Sequence, residues 1–88
     1  MKKHLVITGK VQGVGFRYWI KNLAINNNIN GWVKNKMSGD VEALINGEEK
    51  DVRKLIKLCE IGPSSATIQN IQVNDYEHDY SKEGFNIF

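Results

Sequence analysis

The 88-residue chain has 41% hydrophobic and 25% charged residues, which is ordinary globular usage and excludes a second domain, a fibrous repeat and wholesale disorder. Its single cysteine, Cys59, excludes an internal disulfide and a cysteine-based zinc site. Its longest apolar run has three residues, which excludes a membrane span. The net charge is +2, but residues 1–39 hold seven basic and no acidic side chains, which indicates an anionic partner, either a nucleic acid or a small phosphorylated molecule. We therefore expect one domain over residues 1–88, in the reducing cytoplasm and without a membrane anchor.

Hydrophobic spacing predicts four elements in the first half of the chain: a strand within residues 3–11, a helix from Phe16 to near residue 28, and two strands over residues 31–36 and 41–46. Glycines at positions 13 and 15 end the first strand, and a run of asparagines ends the helix. A polar turn that contains a glycine joins the other two strands into a hairpin. The pairs Asn30-Gly31 and Asn46-Gly47 are interpreted as turns.

The second half predicts a helix and two further strands. The helix has apolar residues at i, i+3, i+4 and i+7 from Val52 to Cys59, and Gly62-Pro63 ends it. A strand follows within residues 67–77, and Phe85 with Ile87 indicates a short last strand. The order β-α-β-β-α-β plus a C-terminal strand predicts an α+β, ferredoxin-like split β-α-β fold, an antiparallel sheet with both helices on one face. Since enzymes, RNA binders and regulatory domains share this fold, only the motifs can indicate the function.

The most informative motif is the segment from Gly9 to Arg17, GKVQGVGFR, which places a glycine-rich loop between a strand and a helix start. Backbone N–H groups at a helix start are unpaired and carry partial positive charge, and glycines let consecutive amides curl around an anion. Arg17 can add a planar guanidinium that binds two phosphate oxygens at once, which a lysine cannot do. The segment predicts a phosphate site, although it matches neither the dinucleotide-loop motif nor the P-loop motif.

A second segment, Gly31 to Glu42, has the sequence GWVKNKMSGDVE. Together the two segments resemble the signatures of the acylphosphatase family, the second one through Gly31, Trp32, Val33, Asn35, Gly39, Val41 and Glu42. Residues 62–66 and 84–87 are also similar to that family. The resemblance therefore extends over essentially the whole chain.

The resemblance implies a role for residues of both segments. Arg17 would bind the phosphate, and Asn35 would orient the attacking water. The phosphate cradle would consist of Gln12, Gly13, Val14, Gly15 and Phe16. Lys36 departs from the family pattern, because many members have there a small hydroxyl residue that helps to hold the water; this bears on the rate more than on the reaction.

The implied reaction is the hydrolysis of an acyl phosphate to a carboxylate and phosphate. A carboxylic acid has a pKa of roughly 4, so the carboxylate leaves unprotonated and needs no general acid. Phosphoryl transfer through a loose transition state needs mainly charge stabilisation and a placed water, which amides, an arginine and an asparagine can supply. The resemblance thus implies a monomeric enzyme acting on a small acyl phosphate, with no metal, no cofactor and no nucleic acid.

Two other functions remain open on this fold. The basic first half favours an RNA-binding domain, but the strand over residues 41–46 lacks the aromatic residues on which such domains stack bases. A phosphate-sensing module would resemble the acylphosphatase-like domain of larger carbamoyl-transferring proteins, whereas a chain of 88 residues favours a stand-alone enzyme. His4 and His78 have no ligand spacing and are interpreted as surface or structural residues, and Trp19 and Trp32 as packing residues at the edge of the core.

Overall fold

The computed structural model describes all 88 residues. They form seven elements in the order β1 (Lys2–Lys10), α1 (Phe16–Asn26), β2 (Asn30–Asn35), β3 (Val41–Asn46), α2 (Glu49–Ile61), β4 (Thr67–Asp75) and β5 (Phe85–Ile87). Each predicted element is present within a few residues of its expected bounds. Neither helix is long and apolar enough to cross a membrane.

The strands form one sheet in the order β4-β1-β3-β2-β5. The antiparallel prediction is confirmed for β1 to β4, but β5 pairs parallel to β2 and makes the sheet mixed. The cause is the connection over residues 76–84, which carries the chain from the β4 edge to the opposite edge. There Asn30 accepts a hydrogen bond from the Gly84 N–H over 2.9 Å, and the Gly31 N–H donates to the Gly84 carbonyl over 2.9 Å.

Both helices pack on one face of the sheet, as predicted. Alternate residues of β1 and β3, including Leu5, Ile7 and Ile45, meet apolar residues of α1 and α2 in a fully buried cluster. Cys59 of α2 belongs to this cluster, and burial, with a smaller effect of the Glu60 charge, raises the pKa of its thiol to about 12. A thiol with that pKa is protonated at neutral pH, so Cys59 is a packing residue and not a nucleophile.

The interpretation of Asn30-Gly31 as a turn is wrong, because both residues belong to β2. Gly31 lies beside the backbone of β3, where an added Cβ would sit 1.8 Å from the Leu44 carbonyl oxygen. The φ angle of +147° also favours glycine. The glycine thus reflects a close approach of two strands and not a reversal of the chain.

A polar cluster lies on the sheet face that the helices leave open. Glu42 Oε2 is 2.6 Å from His4 Nε2, and its Oε1 is 3.5 Å from Lys34 Nζ. Lys34 Nζ also lies 5.6 Å from the ring centre of Trp32. Burial raises the pKa of Glu42, but the hydrogen bond and charge of His4, helped by Lys34, outweigh burial and hold the pKa below its usual value. His4 therefore has the structural role expected of it.

Replacing Glu42 by glutamine tests this cluster. A carboxyl group with a lowered folded-state pKa stabilises the fold above its unfolded pKa and loses that contribution as the pH falls through the folded value. Glu42→Gln should lower Tm at pH 7 by roughly 4–8 °C, because a lost charge-assisted hydrogen bond costs on the order of 1 kcal/mol. The difference from wild type should shrink below about pH 4.5, as followed by circular dichroism. Glu77→Gln, at an exposed position, is the control; a Glu42→Gln difference that stays constant into strong acid contradicts the assignment.

Candidate active site

The two segments that the sequence singled out meet at one end of the sheet. β1 and β2 both pair antiparallel with β3, one on each side of it, so they run in the same direction. Their C-terminal ends therefore lie at the same end of the sheet. The loop that follows β1 and the last residue of β2, Asn35, are brought together there.

The loop after β1 leaves a run of backbone amides free. Gly13 and Gly15 have φ angles of +73° and +78°, in the left-handed region that glycine adopts without strain. Gly15 is the N-cap of α1 and provides no side-chain cap, and the first turn of α1 has no acidic residue. None of the backbone N–H groups from Gly13 to Tyr18 donates to a protein atom. Such amides at a helix start are suited to binding an anion.

A cavity of about 150 Å³ lies where the loop faces the end of β2. It is lined by Val11, Gly13, Gly15, Phe16, Arg17, Tyr18 and Asn35. Among buried side-chain nitrogen and oxygen atoms of the chain, the Oδ1 of Asn35 alone has no hydrogen-bond partner. Leaving such an atom unpaired costs about 1–3 kcal/mol, so an unpaired oxygen on a residue that lines a cavity points to a hydrogen-bond donor at this site.

Arg17 supplies the positive charge of the cavity. Its Nη1 donates to the backbone oxygen of Phe88 over 3.3 Å, at the long end for a hydrogen bond. Arg17 forms no salt bridge with an Asp or Glu side chain, whereas Arg53 pairs with Glu49 on α2. No side-chain carboxylate therefore competes with an anion for the Arg17 guanidinium.

Two residues of the predicted cradle, Gln12 and Val14, do not line the cavity. The Gln12 side-chain amide donates to the carbonyls of Lys36 and Asp40 over 2.7 and 2.9 Å, and so ties the loop to the turn between β2 and β3. The Val14 carbonyl accepts a hydrogen bond from the Ser65 hydroxyl over 2.8 Å. Both residues hold the shape of the loop.

Sequence reasoning missed several residues at the site. Val11 and Tyr18 line the cavity, Phe88 holds Arg17, and Ser65 contacts the loop from the connection between α2 and β4. Tyr18 adjoins Arg17 in the first helical turn, a position that could have drawn attention to it. Nothing in the sequence pattern signals the contact of Ser65, 51 residues away from Val14.

The other singled-out side chains lie elsewhere. His4 is on the open sheet face and His78 is in the segment over residues 76–84, so neither reaches the cavity. Trp19 packs against Phe16 with the ring centres 5.3 Å apart, at the edge of the core as expected. No group of three or more His, Cys, Asp or Glu side chains is arranged to hold a metal ion.

Comparisons with known proteins agree with this description. The family model described as Acylphosphatase matches residues 3–87. An acylphosphatase of Pelotomaculum thermopropionicum is 39% identical over 88 residues, which cover 98% of this chain and 94% of the relative. The crystal structure of acylphosphatase from Bacillus subtilis superposes with a TM-score of 0.94 at 30% identity, covering 99% of this chain and 97% of that one. Full-length HypF, in its phosphate- and nucleotide-bound form, contains a similar region with a TM-score of 0.89 at 38% identity, covering 99% of this chain and 11% of HypF.

The fold and the site define a ferredoxin-like α+β protein with a small cavity of free amides and one arginine at the end of its sheet. With the family model matching nearly all of its residues, the chain belongs to the acylphosphatase family.

Proposed function

We propose that this protein hydrolyses small acyl phosphates, with water attacking the phosphorus. The new bond forms between the water oxygen and phosphorus, and the bond between phosphorus and the acyl oxygen breaks. The acyl oxygen leaves with the bonding electrons as a carboxylate, and the water protons go to the phosphate and to solvent. The observation that carries the proposal is that Asn35, whose buried Oδ1 has no partner in the protein, lines the same cavity as Arg17 and the loop with its free amides.

The loop and Arg17 would bind the phosphoryl group. The N–H groups of Gly13 to Arg17 have no protein acceptor, so an anion can accept their hydrogen bonds without displacing any bond in the protein. The guanidinium of Arg17 can donate two parallel hydrogen bonds to phosphoryl oxygens, once it exchanges its long bond to Phe88 for the substrate. Gln12 and Val14 contribute by holding the loop through their contacts with the hairpin turn and Ser65.

Asn35 would place the water. An amide oxygen accepts a hydrogen bond, so Oδ1 can hold the water proton while the water oxygen faces the phosphorus, and the amide NH₂ can donate to a phosphoryl oxygen. Holding the water in line makes the attack effectively intramolecular, which is the main benefit a protein can give to a loose phosphoryl transfer. The carboxylate leaves without a proton because its acid has a pKa of only roughly 4. The arrangement therefore requires no general acid.

We further propose that the protein works as a cytoplasmic monomer without nucleic acid. The buried, reduced thiol of Cys59 fits a reducing compartment. Large exposed apolar side chains such as Tyr18, Met37 and Ile61 are spread along the chain, in α1, in the turn between β2 and β3, and in α2. β3 presents no aromatic side chain on the open sheet face, where an RNA-binding domain of this fold would stack bases.

Hydrolysis in isotopically labelled water tests the proposal. The protein with acetyl phosphate and a metal chelator in ¹⁸O water should release phosphate far faster than the uncatalysed reaction, and the label should appear in the phosphate. Inorganic phosphate should inhibit competitively and raise Tm, because a ligand that binds only the folded state stabilises it. Label in the carboxylate would refute attack at phosphorus, and unchanged Tm in millimolar phosphate would refute an anion site.

A further inference from the structure

One side chain from a distant part of the chain contacts the phosphate loop. Ser65 lies in the connection between α2 and β4, and its hydroxyl donates to the Val14 carbonyl over 2.8 Å. Ser65 is not among the residues that line the cavity. Its neighbour Ser64 is also exposed and makes no hydrogen bond, which provides a natural control.

The hydrogen bond to Val14 fixes the direction of the next amide. The peptide bond between Val14 and Gly15 is planar and trans, so the Val14 C=O and the Gly15 N–H point in opposite directions. With the carbonyl held toward Ser65, the N–H points away from Ser65. Gly15 lines the cavity and its N–H has no protein acceptor. The bond thus holds one of the free amides in place for an anion.

The Val14 side chain packs against the core, but no other hydrogen bond holds this peptide. No backbone N–H donates to the Val14 carbonyl, whereas the following peptide is held by the Trp19 N–H, which donates to the Gly15 carbonyl over 3.1 Å. Residue 15 is glycine, which adopts positive and negative φ with similar ease, and nothing lies within 4 Å of a Cβ built there. A glycine thus leaves this peptide without a side chain to restrain it on the C-terminal side, and the Ser65 hydroxyl makes the one hydrogen bond to its carbonyl.

We propose that Ser65 is a positioning residue, which keeps the Val14–Gly15 peptide in the orientation that binds the phosphoryl group. The inference rests on the proposed function for the identity of that group. Without the hydroxyl the loop divides between two orientations, and only one of them presents the Gly15 N–H to the cavity. The apparent affinity then falls in proportion to the competent fraction, while the saturated enzyme reacts as before.

The test compares Ser65→Ala with Ser65→Thr, which keeps a hydroxyl, and with Ser64→Ala. In Ser65→Ala, KM for acetyl phosphate and Kd for inorganic phosphate should rise together by about three- to tenfold, the range expected for one solvent-exposed hydrogen bond, with kcat unchanged. Ser65→Thr should restore both constants, and Ser64→Ala should match wild type. The Gly15 amide resonance in ¹⁵N spectra reports on this donor directly. Adding phosphate should shift it less in Ser65→Ala than in wild type.

Failure of this inference and failure of the proposed function are distinguishable, because phosphate binding is measured without turnover. A wild-type protein that binds phosphate but hydrolyses no acyl phosphate refutes the function and leaves the binding test in force. If Ser65→Ala binds phosphate as tightly as wild type, with or without a lower Tm, Ser65 merely joins two loops and the inference is wrong. A wild-type protein that binds no phosphate overturns it as well.

Discussion

Arg17→Lys is expected to lower kcat/KM by about 10²-fold or more while the positive charge is kept, which is the scale of losing an aligned donor to transition-state charge. The planar guanidinium can donate two parallel hydrogen bonds to phosphoryl oxygens, whereas the ammonium of lysine is a point charge on a flexible stem. Arg17 is half-buried, lines the cavity and has no Asp or Glu partner, so no side-chain carboxylate competes with an anion for it. Steady-state kinetics with acetyl phosphate measure the effect.

The chain provides a matched control in its other arginine. Arg53 is exposed on α2 and lies 3.5 Å from Glu49, one helical turn away. Arg53→Lys makes the same chemical change outside the site and should leave kcat/KM at the wild-type value. If Arg17→Lys also keeps near wild-type activity, only charge matters at position 17 and the bidentate geometry assigned to this arginine is wrong.

The elements and the face that each one buries were predictable, because they depend on local spacing. The apolar residues at i, i+3, i+4 and i+7 from Val52 to Cys59 are all buried or half-buried in α2, and those of β1 alternate as expected. The parallel pairing of β5 was not predictable from its three residues. It depends on where the connection over residues 76–84 crosses the end of the sheet, and that is fixed by contacts of Gly84 with Asn30 and Gly31.

The features of the site also divide into those that the sequence could predict and those that it could not. Loop glycines, a helix start and an arginine are neighbours in sequence, so their meeting at one cavity followed from local geometry alone. That Asn35 faces them needed the family resemblance, because the contact depends on β1 and β2 flanking β3. Two contacts hold the loop, one from Gln12 to the hairpin turn and one from Ser65 to Val14. Neither follows a periodic pattern of residues, so sequence spacing carries no information about them.

Asn35→Ala is expected to lower kcat by about 10²- to 10³-fold and to change the Kd for inorganic phosphate little. The phosphate contacts assigned to Arg17 and the loop amides stay intact in this variant. The water loses its acceptor, so the loss falls on the chemical step. Asn35→Asp should also be poor, because a carboxylate beside the loop would repel the dianionic phosphoryl group and raise Kd as well.

The stability of Asn35→Ala separates a catalytic from a structural role. The Asn35 side chain makes no hydrogen bond to another group of the protein, so its removal breaks none within the fold. Tm should therefore stay close to wild type while kcat collapses. Asn46, the last residue of β3, is the control: its Nδ2 donates to the Tyr80 carbonyl over 3.2 Å, so Asn46→Ala should lower Tm and preserve kcat. An Asn35→Ala protein with reduced Tm and wild-type kcat would show that Asn35 only supports the hairpin, and would remove the water-placing role from the mechanism.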